Sequence, residues 1–245
     1  MIILTPTFNH TKGLEHLLKT ASSNTKIYVC DNSDNNSIEK LCESHYNIAY
    51  FKNKYVGAIQ NWNFALKKTS NEFVLFLHDD EYFNSHDLEN ILKIPKDKKK
   101  IYFFKNKVFK NNKIINNGFN LNLKKYFLEK FDKLILFLNF IGPTSSYIFY
   151  NSSKNQILFD RKLRWLVDVD FMFRLFSNKN YEFLNITVNT HLKNNSITAN
   201  LGYSKLFIGF RESLYLKKKY QINIIKYLFY LIFSLFIKVV KKLII

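Results

Sequence analysis

Three adjacent carboxylates stand in His78-Asp79-Asp80-Glu81, directly after the uninterrupted apolar residues Phe73 to Leu77. A short apolar run bounded by polar residues reads as a strand buried on both faces. Open α/β sheets bind ligands outside the carboxyl ends of their strands. Clustered carboxylates repel one another unless positive charge sits among them, and a divalent cation that also grips a diphosphate meets that need. The same residues can equally form a solvated acidic turn, with Asp or Glu capping a helix that starts near Ser85. Cys30 and Cys42, the only cysteines, match neither a disulfide framework nor a zinc pattern and favour a reducing compartment.

The acidic stretch is expected to sit on an alternating scaffold. Met1–Thr7 reads as a buried strand ending at Pro6, and Thr11–Ala21 as a helix with Leu14, Leu17, Leu18 and Ala21 on one face. Lys26–Cys30 is a second strand, followed by the turn residues Asp31 to Asn36. Helix Ser37–Ser44, strand Ile48–Phe51, helix Gly57–Thr69 and strand Phe73–Leu77 complete a βαβ array, hence a mostly parallel sheet. Beyond it the pattern predicts a helix over Asp87–Ile94 and a strand over Ile101–Phe104. A hairpin is expected over Val108–Asn120, and a helix over Tyr126–Phe140. A strand at Tyr147–Tyr150, a buried helix at Leu166–Ser177 and a strand at Tyr181–Val188 follow. A boundary near Asn200–Gly202 divides an α/β domain (1–200) from a helical, basic and aromatic tail (201–245).

Five segments in order carry a resemblance: TPTFN at Thr5–Asn9, CDNSDN at Cys30–Asn35, VGAIQNWNFAL at Val56–Leu66, LFLHDDE at Leu75–Glu81 and WLVDVDFMFRL at Trp165–Leu175. Together they resemble the family 2 glycosyltransferases, GT-A-fold enzymes that move a sugar from a nucleotide diphosphate. The resemblance spans about residues 1 to 195. It implies that Thr5, Pro6 and Thr7 flank the nucleotide base. Asp31 would bond the uracil ring, with an Asx turn as its plain structural role. Asn63 would approach the nucleotide or donor sugar, whereas Asn61 is read as surface. His78 stands where the first aspartate of the family's DxD pattern usually does, which leaves Asp80 as the best metal ligand, with Asp79 and Glu81 beside it. Mn²⁺ or Mg²⁺ suits these oxygen ligands. Asp168 matches the aspartate of the family's ED pattern, the general base of an inverting displacement, with Val167 in place of the glutamate; a helix cap is its alternative role. Asp170 is read as an i,i+4 partner of Arg174. His191 is a further candidate for the metal or diphosphate, and Lys193 for the phosphates; His10 is read as surface.

Hydrophobic residues make up 47% of the 245, which excludes wholesale disorder. The formal charge of +18, from 37 basic and 19 acidic residues, implies an anionic partner or surface. Basic and aromatic residues are not interleaved as a nucleic-acid groove requires, so nucleic acid is not the expected partner. TPTFNHTKG lacks the Gly-rich loop of a nucleotidyltransferase. In the tail, the uncharged run Tyr227–Ile237 is 11 residues, short of the roughly 20 needed to span a bilayer. Apolar residues surround that run and lysines bracket it, so an interfacial helix on an anionic leaflet is expected; packing on the catalytic domain or an oligomer contact is the alternative. No secretory signal is visible at the N-terminus. These readings converge on a metal-dependent transferase acting from a UDP-sugar on a glycan or lipid-linked acceptor in cell-surface polysaccharide synthesis. It would work from the cytoplasm, peripheral on the inner membrane face. A catalytically inactive homologue is the alternative that His78 and Val167 leave.

Overall fold

A computed structural model describes residues 1–21, 24–55, 57–94, 96–110, 113–177, 179–191 and 204–244, with backbone alone at 115, 116, 191, 204, 205 and 241–244. Its opening follows the expected alternation: β1 (Ile2–Thr7), α1 (Thr11–Thr20), β2 (Ile27–Asp31), α2 (Ser37–Glu43), β3 (Ile48–Lys52), α3 (Ala58–Lys68) and β4 (Glu72–Phe76). These four strands pair in parallel in the order β3-β2-β1-β4. Past β4 come the short strand β5 (Glu81–Tyr82), α4 (Ser85–Lys93), β6 (Lys100–Lys110), β7 (Lys113–Asn116) and α5 (Leu121–Lys130). They are followed by β8 (Tyr147–Asn151), α6 (Val167–Phe176), β9 (Asn180–His191), α7 (Ser204–Lys219) and α8 (Ile224–Ile244).

The full sheet is mixed, a correction to the mostly parallel expectation. β8 runs antiparallel to both β4 and β6, while β6 and β9 are parallel. The strand expected over 101–104 runs on to Lys110 as β6, and its end forms the expected hairpin with β7, pairing Val108 with Asn116. The helix expected through Phe140 stops at Lys130, where Phe131 leaves helical geometry (φ −139°, ψ 55°). A 3-10 turn, Asp132–Leu136, follows it. Leu134, Ile135, Leu136, Phe140 and Ile141 are all buried. A segment covered on every side needs no helical period to satisfy its apolar residues, so hydropathy alone could not place that helix end.

Alternation along the strands fills two cores. Ile3, Leu75, Tyr102 and Phe104 face one layer, with Leu14 and Leu17 of α1, Ile38 of α2 and Leu88 and Ile91 of α4. Leu4, Val74, Phe76, Ile101 and Phe103 face the other, with Ala65 and Leu66 of α3, Phe127 of α5 and Phe171 and Met172 of α6. Leu216, Ile222, Tyr227 and Tyr230 of the tail join this second core. The boundary expected at 200–202 lies outside the described residues.

One feature of the register opens a place for a ligand. β1 lies between β2 and β4, the point where strand order switches direction. Its pairing with β4 ends at Leu4 and Phe76, with a last hydrogen bond from Leu77 N to Leu4 O (2.9 Å). Thr5–Thr7 and the turn after Leu77 therefore sit side by side at carboxyl ends no longer tied by a ladder, where open α/β sheets bind ligands.

Candidate active site

Each residue of the acidic turn meets a different neighbour. Asp79 Oδ2 accepts a hydrogen bond from Thr7 Oγ1 (2.7 Å), which links the turn to the end of β1. His10 Nδ1 lies 3.1 Å from the Asp79 carbonyl oxygen and 3.5 Å from Oδ1, so His10 belongs to the site and not to the surface where the sequence placed it. Gly13 makes that approach feasible: a Cβ there would overlap the Asp79 carbonyl. Asp80 is half-buried on the turn. Glu81 is buried and begins β5; its Oε2 accepts from His78 N (3.0 Å) and its Oε1 faces Thr190 Oγ1 (3.5 Å) on β9. Burial, reinforced by the Asp80 charge and opposed by His78, pushes the Glu81 carboxyl up to about 7.

His78 stands between two acids. Its Nε2 is 3.0 Å from Thr144 Oγ1, and its ring lies edge-on to Trp62 and Phe76. Asp168, in the first turn of α6, has Oδ1 buried without a hydrogen-bond partner. Burial raises its pKa, and the nearby His78 partly opposes the rise. Asp168 and Glu81 both act on the buried Tyr147, whose hydroxyl is also unpartnered and whose pKa is raised, first by burial. His78, Glu81, Tyr147 and Asp168 thus form one electrostatic neighbourhood, assembled from the turn after β4, from β5, β8 and α6. An unpaired carboxylate oxygen out of water is costly, and an incoming hydroxyl is the kind of donor that relieves the cost.

The remaining expected residues divide. Thr5 and Pro6 are buried on β1, and Thr5 Oγ1 is unpartnered. Asp31 is buried. Its Oδ1 accepts from Ser33 N (2.8 Å) in an Asx turn, while Oδ2 takes Tyr50 OH (2.9 Å) and Lys52 Nζ (3.1 Å). Asn63 has an internal partner: its amide clamps the Phe159 backbone, donating to the carbonyl (2.9 Å) and accepting from N–H (2.7 Å). Asn61 is buried and not surface; it donates to Cys30 O (2.8 Å) and accepts from Asn53 (3.0 Å). Asp170 pairs with Arg174 as expected (2.6 Å). The His191 side chain and Lys193 lie outside the described residues.

No three His, Cys, Asp or Glu side chains among the described residues converge to hold an ion. Asp79 is engaged by Thr7, and Glu81 is turned into the sheet. Of the trio, Asp79 and Asp80 are both half-buried, and only Glu81 is fully buried. That donor set does not make a protein-only cage. It does fit a hard cation that takes one carboxylate from protein and its other oxygens from water and phosphate.

Residues 2–155 match the family model for glycosyl transferase family 2. The chain belongs to this family. Asp168 and the tail lie beyond the matched segment. A comparison with curated proteins gives no match. Among solved structures the chain resembles S. aureus TarS 1-349 in complex with UDP-GlcNAc, with TM-score 0.61 and 17% identity, covering 80% of this chain and 59% of that one. TarS 1-349 in complex with UDP gives 0.59 and 18%, covering 79% of this chain and 60% of that one. At such identity the likeness establishes the α/β fold of this family member, and the chain spans about three fifths of those structures.

Proposed function

We propose that this family 2 chain is an inverting glycosyltransferase that moves a sugar from a UDP-sugar to an alcohol, with Asp168 as general base. The observation that carries the reading is the buried, unpartnered Oδ1 of Asp168 beside His78, at the carboxyl end of the strand that precedes the acidic turn. In this reaction Asp168 accepts the proton of the acceptor hydroxyl as that oxygen bonds to the anomeric carbon. The bond from that carbon to the diphosphate breaks, and UDP departs with the electron pair. Burial raises the pKa of Asp168, against the pull of His78, which makes it a stronger base than a solvated aspartate. Thr5 to Thr7 and Asp31 end the strands on the nucleotide side. Asp80 would hold Mn²⁺ or Mg²⁺ carried with the diphosphate, and the cation would neutralise charge on the leaving group. The solved TarS complexes with UDP-GlcNAc and UDP support the choice of a uridine diphosphate donor.

The tail supplies the location of the acceptor. One side of α8 packs on the core through Tyr227, Tyr230 and Ser234, while Ile225, Ile232, Phe236 and Val239 remain exposed. Phe207 and Phe210 of α7 are exposed as well. No helix among the described residues is long and apolar enough to cross a membrane. An apolar face with lysines on a chain of +18 suits peripheral attachment to an anionic leaflet, where a lipid-linked glycan acceptor would be within reach.

The test is a panel of UDP-sugars assayed for transfer and UDP release, with and without Mn²⁺. Asp168→Asn should lower kcat by about a hundred-fold or more and leave UDP affinity, measured by calorimetry, within two-fold. Unchanged turnover would remove Asp168 as the base. Asp80→Ala should weaken UDP binding only when Mn²⁺ is present.

A further inference from the structure

Helix α6 carries Asp168 but has no side-chain cap of its own. A carboxylate from the tail instead holds the amides that lead into it. Glu212 of α7 is buried, and its Oε1 accepts from Arg164 N (2.7 Å). Its Oε2 accepts from both Trp165 N (2.9 Å) and Leu166 N (2.8 Å). These are the last amides before α6. A carboxylate on such donors is held by charge-assisted bonds and by the positive end of the helix dipole. Close packing supports the arrangement, since Gly209 lies where a Cβ would be 3.3 Å from the Trp165 ring.

A second grip lies on the other side of Asp168. Lys219 Nζ and Tyr220 OH each reach Asp170 Oδ1 at 2.6 Å, and Arg174 takes the opposite oxygen. Lys219 also bonds Asp160 (2.8 Å), as does Tyr215 OH (2.8 Å). Asp168 therefore sits between residues 164–166 and 170, both fastened by α7 or by the residue that follows it. Its own Oδ1 makes no bond that would fix it, so its direction depends on how the backbone beneath it is held.

We infer that Glu212 is a positioning residue for Asp168, which makes α7 part of the catalytic apparatus. The inference rests on the reading of Asp168 as base. The experiment uses the full chain with Glu212→Gln and Glu212→Ala, each alone and combined with Asp168→Asn. Glu212→Ala should lower kcat about a hundred-fold, the scale of an ångström-sized misplacement, with KM for the UDP-sugar within two-fold. Glu212→Gln keeps the shape and one acceptor oxygen, so it should lose about ten-fold less. In the Asp168→Asn background neither should lower kcat further, because the two residues act through one step. Hydrogen exchange at the amides of 164–170 should quicken in Glu212→Ala while the β1–β4 amides keep their protection. An active wild type with unaltered kcat in both Glu212 variants would overturn the positioning role alone. So would an equal loss in the Asp168→Asn background, which marks general damage to the fold. A wild type inert toward every UDP-sugar would bring down the reading of Asp168, and this inference with it.

Discussion

Burial raises the proton affinity of Glu81. Its carboxyl is lifted from 4.5 to about 7, first by burial and then by the Asp80 charge, against the pull of His78. Between those two values the folded chain holds a proton that the unfolded chain has released. Stability from this residue is therefore fully present below about pH 4.5 and is lost as pH rises through 7. The loss should approach 3 kcal/mol, about what such a displacement is worth. Urea unfolding of metal-free wild type and Glu81→Gln at pH 5, 6 and 7 reads the difference directly: the variant should gain on the wild type as pH rises. Parallel pH profiles would mean that Glu81 stays ionised when folded. At this scale the sequence singled out Asp80 where carboxylates interrupt an apolar run, and the family resemblance singled out Asp168. The sequence was silent on His10, Gly13 and Glu212, whose roles arise from contacts 46 to 69 positions away. No local spacing records such meetings. Asn61 misled for the same reason, because a polar residue in an amphipathic helix reads as outward-facing until its buried partner is known.

The elements show which secondary structures the chain specifies locally. The first four strands and three helices fall within a residue or two of their expected bounds, because a period of 3.6 alternates there with short buried runs. Later bounds blur where the chain is apolar on every side, as between α5 and β8. The link between α3 and α6 is tertiary and can be tested as such. Asn63 clamps the Phe159 backbone, and the Phe159 ring stacks on Phe171 of α6 with centroids 4.1 Å apart. Asn63→Ala leaves a buried N–H and a buried carbonyl unpaired, at about 1–3 kcal/mol for each group. The expected outcome is a loss of roughly 3 kcal/mol in urea unfolding with little change in UDP affinity. A stability change below about 0.5 kcal/mol would show that water replaces the clamp without loss.

For the whole molecule, the tail has a side packed on the core and a side left exposed. Tyr227 and Tyr230 are buried in the same core as Phe137, Leu4 and Phe76, so removing α8 would uncover that core as well as any membrane contact. A deletion therefore cannot separate attachment from folding, and outward-facing substitutions can. Ile232 and Phe236 lie one turn apart, 66% and 60% exposed, on the side away from those tyrosines. Burying an exposed side chain of this size in a bilayer interface is worth about 1.5–3 kcal/mol when complete, and these two have roughly that share left to bury. Ile232→Ser with Phe236→Ser should weaken co-sedimentation with phosphatidylglycerol vesicles by at least about ten-fold while unfolding in urea stays unchanged. Wild-type binding should also fall as salt rises, since lysines attract the anionic surface through a screened field. If the double variant sediments like wild type, this apolar face is not what meets the vesicle. If wild type ignores vesicles at every salt concentration, the acceptor must be brought to the site in solution.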